Sequence, residues 1–99
     1  MAVKVLIKRK FKNGNMQAAS RLLINTRSAV MKQPGYIASE NLRSLDDRDE
    51  IVVVSMWETL EAWEGWKNSK ERKAHIAEFK DYFVGEEKFE CYAMGLQPD

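Results

Sequence analysis

"IVVVSMWETLEAWEGWKNS", residues 51–69, decides the fold, because a run of β-branched residues passes within a few positions into a tryptophan-rich helix. Ile51 to Val54 carry stiff side chains that suit a pleated sheet, and their continuity predicts a strand over 51–57 covered on both faces. Thr59 stands where an N-cap oxygen belongs and predicts a short helix over 60–67. Leu60, Trp63 and Trp66 share one side of that helix, the side to be buried. Ser69 can cap a second helix whose first turn holds Glu71, a charge that suits the helix dipole. Ile76, Phe79 and Phe83 form its apolar stripe, and Gly85 ends it.

Working outward, "VKVLI" at 3–7 is β-rich and then turns basic, which reads as a strand ending in solvent. "NGN" at 13–15 is a turn, with Asn15 as N-cap for a helix from Met16 to about Lys32. Ala19, Leu22, Leu23, Ala29 and Val30 recur there at helical spacing, and Pro34-Gly35 stops the run. "YIASENLRSL" at 36–45 is a more polar strand with one wet face, and "DDRDE" at 46–50 is a charged turn. In "KFECYAMGL" at 88–96, Phe89, Cys91 and Ala93 alternate with polar residues as the inner face of a last strand. Cys91 is expected there as a small buried hydrophobe.

The order is β-α-β-β-α-β with the second helix broken in two: an α+β, ferredoxin-like fold with a four-stranded antiparallel sheet. Residues 1–99 are expected to form one such domain. Helices cover one face of this sheet. A strand as apolar as 51–57 also needs its outer face covered, and a symmetric homodimer with sheets packed face to face supplies that cover.

Composition excludes several function classes. Hydrophobic residues make up 44% and charged residues 31%, a globular balance. No apolar run approaches the ~18 residues of a membrane span. The opening "MAVKVLIKRKF" places its basic residues after the apolar stretch, the wrong order for a secretory signal, so a cytoplasmic setting is expected. One cysteine and one histidine cannot build a structural zinc site. Residues 1–45 hold nine Lys or Arg against one acid, whereas residues 46–99 hold seven against fourteen. "KRKFK" at 8–12 lacks the interleaved aromatics of a single-strand binder, so nucleic acid is not the expected partner. Basic and acidic elements are expected instead to neighbour each other in the fold or across a dimer.

With these residues placed, the chain resembles the antibiotic biosynthesis monooxygenase-like family of dimeric α+β barrels. "VVVSMWETLEAWEGWKNS", the preceding "PGYIASENL", and the length and element order carry the resemblance. It implies a cofactor-independent monooxygenase acting on a small aromatic, quinol-type metabolite. In that branch the substrate is deprotonated and reacts with oxygen itself, within an apolar, water-excluding cavity. Trp66, at the family's cavity tryptophan, and His75, near the iron-ligating position of a heme-degrading branch, are the candidate catalytic residues that the resemblance implies. Trp63, Phe79, Tyr82 and Tyr36 are the candidate substrate contacts.

A heme-degrading branch of the family uses an asparagine in the first strand, a tryptophan on the second helix and an iron-ligating histidine. Trp66 matches. The first strand, Val3 to Lys10, holds no asparagine, and His75 stands one residue early. One residue turns a helical side chain by about 100°. No cofactor is therefore expected, with heme as the disfavoured exception. A non-catalytic dimeric module that binds a small ligand in the same cavity is the alternative reading.

Overall fold

The computed structural model describes residues 1–96. Its strands are β1 (Val3–Lys10), β2 (Tyr36–Arg43), β3 (Glu50–Trp57) and β4 (Lys88–Ala93), and its helices α1 (Met16–Met31), α2 (Leu60–Lys67) and α3 (Lys70–Glu78). The sheet runs β2-β3-β1-β4 with every pair antiparallel, the ferredoxin-like arrangement. The three caps read from the sequence are made: Asn15 accepts from the Ala18 N–H, Thr59 from Ala62 and Ser69 from Arg72. Each satisfies one of the donors that a helix start leaves open.

Pairing register assigns every strand residue to a face. Val3, Val5, Ile7 and Arg9 of β1 lie opposite Trp57, Ser55, Val53 and Ile51 of β3, and all eight are buried beneath the helices. Lys4, Leu6 and Lys8 pair with Met56, Val54 and Val52 on the other face. There Leu6, Val52, Val54 and Met56 remain half-buried in the single chain. An alternation of deep and shallow burial therefore underlies the unbroken apolar run of β3.

The interior divides in two. One cluster gathers Val3, Val5, Ile7, Ala29, Val53 and the three tryptophans, and the other gathers Phe11, Ala18, Ala19, Leu22, Ile51 and Phe79. Leu60, at the first turn of α2, is 38% exposed rather than buried with Trp63 and Trp66, and three further details differ from expectation. α3 stops at Glu78, and Phe83 is extended, bridged to Phe11 with ring centroids 5.2 Å apart at 81°. Edge-to-face packing and a strand-like bridge there outweigh continuation of the helix. Cys91 is exposed, although its face was read correctly: it pairs with buried Val5 but sits on the outer edge strand. Finally, β1 does not simply end in solvent, because Arg9 is buried.

The charge halves meet within the chain. Lys8 pairs with Glu90 at 2.9 Å, Lys10 with Asp47 at 2.9 Å, and Arg9 with Glu87.

Gly35 sets the seam between α1, β2 and α2. Its φ is +80°, and its carbonyl accepts the Glu58 N–H at 2.7 Å. A Cβ placed there would lie 2.6 Å from the Ala62 Cβ. Gly35→Ala is expected to cost about 2 kcal/mol or more, from left-handed backbone strain plus overpacking against α2. Urea unfolding measures this, and an unchanged midpoint would refute it.

Candidate functional site

Between the inner face of the sheet and the helices lies a cavity of about 310 Å³. That is the lower end of the ~300–1,000 Å³ range of small-molecule sites. β1 contributes Ile7 and Arg9; β3 contributes Val53, Ser55 and Trp57; β2 contributes Tyr36 to Ser39 and Asn41. α1 closes one side with Leu23, Thr26, Arg27, Val30 and Met31. Trp63 and Trp66 come from α2, and Arg72 and Ile76 from α3.

Aromatic rings make the apolar part rigid. The Tyr36 ring meets Trp57 edge-on at 5.4 Å, Trp57 meets Trp63 at 6.0 Å, and Trp63 meets Phe89 at 5.6 Å. Trp57, Trp63 and Trp66 are only 0%, 2% and 5% exposed, so these rings serve as core and cavity wall together. The Trp57 indole N–H donates to Ser55 Oγ at 3.1 Å, and Ser55 in turn donates to the Val5 carbonyl at 3.3 Å. That relay satisfies the one polar atom of a fully buried indole and fixes its ring plane.

Polar groups are few and grouped. Tyr36 Oη and Ser39 Oγ share a hydrogen bond of 2.7 Å on the β2 side, where Asn41 also faces the cavity. On the opposite side stand Arg9 and Arg72, both bonded to Glu87 Oε2, Arg72 through Nη2 at 2.8 Å. Burial lowers the pKa of the Arg9 guanidinium from its ordinary value, Glu87 opposes that shift, and the like charge of Arg72 adds to it. An arginine remains charged under such a shift.

Of the residues singled out from sequence, the structure brings Trp63, Trp66 and Tyr36 together at this wall. Phe79 lies in the second core cluster, 1% exposed, with Arg21 over its ring at 5.5 Å. Tyr82 is exposed beside it, with ring centroids 6.2 Å apart. His75 sits in the last turn of α3, partly exposed and off the cavity wall. Among the described residues, no group of three or more His, Cys, Asp or Glu could hold a metal ion.

Sequence reasoning missed Arg9, Arg72, Ser39, Asn41 and Ser55. Two had a readable signal. Arg9 continues the alternation of Val3, Val5 and Ile7, and Arg72 lies four residues before Ile76 and seven before Phe79 on one helical stripe. Their charge argued for solvent, and only Glu87, from a loop, makes their burial tolerable.

A four-stranded antiparallel sheet of this order, with an aromatic cavity beneath a broken second helix, defines an α+β domain of ferredoxin-like fold. The antibiotic biosynthesis monooxygenase family matches residues 2–78, and the chain belongs to that family. Comparison with curated proteins found no match. Among solved structures, a Nitrosomonas europaea protein named for the same family superposes with a TM-score of 0.82 at 18% identity, over 98% of this chain and 92% of that one. Rv0793 from Mycobacterium tuberculosis gives 0.81 at 14% identity, over 100% of both chains. SnoaB, a cofactor-independent oxygenase from Streptomyces nogalater, gives 0.77 at 16% identity, over 99% and 98%. At such identities the likeness concerns the fold. No helix among the described residues is long and apolar enough to cross a membrane.

Proposed function

We propose that this protein is a homodimeric, cofactor-independent monooxygenase whose substrate is a small electron-rich phenol or quinol. The observation that carries the reading is the cavity itself, walled by Trp57, Trp63, Trp66 and Tyr36 with a few polar groups at opposite sides. Family membership and the fold shared with SnoaB support it.

The chemistry asks little of the protein. A phenol with a free para C–H takes up one O₂: that carbon gains an oxygen and becomes a carbonyl, the phenolic C–O becomes the second carbonyl, and the other oxygen atom leaves as water. The substrate supplies all four electrons, so the balanced reaction needs no other reductant. Loss of the phenolic proton makes the ring electron-rich enough to give up charge to oxygen. The rings hold the substrate plane, and the Tyr36–Ser39 hydroxyl pair offers hydrogen bonds to its oxygen. The apolar wall keeps water from the reactive intermediate.

The test is oxygen uptake with a panel of electron-rich phenols and quinols, using chelator-treated protein. Expected are a rise in melting temperature with a binding substrate, quinone absorbance, and one atom of ¹⁸O₂ in the product. Stabilisation without turnover favours the ligand-binding module instead. A Soret band from added hemin that disappears in His75→Ala would transfer the protein to the heme-binding branch.

A further inference from the structure

The cavity wall is one-signed. Arg9, Arg27 and Arg72 line it, and among the described residues no carboxylate does. Arg9 and Arg72 are 8% and 5% exposed, and both lean on the single carboxylate of Glu87. Two buried guanidiniums against one carboxylate leave a net positive charge in a site of low dielectric, which is costly until a counter-charge arrives.

The donors left over border open space. Arg9 gives only its Nε to Glu87, and among the described residues its two Nη atoms meet no protein acceptor. Among the described residues no fully buried side-chain nitrogen or oxygen lacks a partner, so those Nη atoms face accessible volume, and the cavity is the volume Arg9 lines. Arg72 is held in place by rings as well as by Glu87, with its guanidinium 5.8 Å from the Trp63 centroid and 5.3 Å from that of Phe89. Stacking of this kind fixes the plane of a guanidinium while leaving its edge free to donate. Glu87 itself does not line this cavity and stands behind the two arginines.

We propose that the ligand of this cavity is an aromatic carboxylate, its ring against the tryptophans and its carboxylate received by the free edge of Arg9 with Arg72 beside it. A carboxylate presents the flat pair of acceptor oxygens that the guanidinium fork matches. The proposal rests on the cavity being the substrate site and adds the substrate's charge. The phenol or quinol it oxidises then carries an acid group at the end of the molecule remote from Tyr36 and Ser39.

The experiment compares 2-naphthoate with 2-naphthamide, which share shape and ring system and differ in charge, by calorimetry and tryptophan quenching on the full chain at neutral pH. Naphthoate is expected to bind at least ~10-fold more tightly at low ionic strength, as a charge-assisted bidentate contact in a desolvated site implies. Arg9→Gln leaves Arg72 and Glu87 as a balanced pair and is expected to erase that preference, weakening naphthoate binding far more than naphthamide binding. Arg9→Lys keeps the charge and loses the fork, so it is expected to restore only part of the preference. Equal binding of the two probes by the unaltered protein overturns the charge assignment and leaves the aromatic cavity standing. Binding of neither overturns both the assignment and the reading of the cavity as a ligand site.

Discussion

Replacing Trp66 by alanine is expected to abolish ligand binding and to destabilise the fold by about 3–5 kcal/mol, as large-to-small aromatic changes in a core do. Trp66 is 5% exposed, packs within the tryptophan cluster and lines the cavity. Its removal therefore subtracts contacts from the core and enlarges a space that already exists, so the site has little scope to collapse around the loss. Trp66→Phe separates the two effects, since it keeps an apolar ring and is expected to retain much of the stability while weakening binding. Urea unfolding and ligand-induced thermal shifts measure both quantities. A Trp66→Ala protein that melts like its parent and still binds would show that this indole is neither core nor wall.

A lysine at Val54 is expected to convert the proposed dimer into a folded monomer. Val54 lies at the centre of the outer face, opposite Leu6 on β1 and Glu40 on β2, with Val52 and Met56 on either side along β3. In the proposed dimer that face is buried, and symmetry brings two ammonium groups into the interface at once. Desolvation of the two ammonium groups, offset in part by Glu40 across the strand pair, corresponds to a rise in dissociation constant of at least ~10²-fold. In a monomer the same lysine points into water, so helix content and the tryptophan cluster are expected to survive. Size-exclusion with light scattering gives the mass, and circular dichroism confirms the fold. If the parent protein is itself a monomer at micromolar concentration, the dimer is wrong and the outer face needs another explanation.

Much of this architecture was legible because local rules and tertiary packing agree. The caps at Asn15, Thr59 and Ser69 form as read, since each is a short-range bond between a side chain and the backbone three residues on. α2 begins and ends where its stripe and cap placed it, at Leu60 and Lys67. The second half of the chain was less legible where partners are remote. Phe83 fits the helical stripe of Ile76 and Phe79, but its ring meets Phe11 edge-to-face, from the other end of the sequence. No window of local sequence contains that contact. Cys91 alternates correctly and is still exposed, because alternation reports the face and not how far the helices extend over it.

The same division governs the site. The sequence by itself determined the tryptophan-bearing helix and the order of elements, because periodicity and capping act over a few residues, while the place of Trp66 at a cavity came from the family resemblance. Only the tertiary structure decided that Tyr36 joins those rings while Phe79 enters a separate core and His75 and Tyr82 stay away from the wall. It also decided that two arginines are interior. A lone arginine in a strand or helix reads as a solvated charge. Its burial at Arg9 and Arg72 depends on Glu87, which lies 78 residues beyond the first and 15 beyond the second. Electrostatic compensation is a property of distances in space, and the chain closes those distances only when β1, α3 and the loop before β4 have packed together.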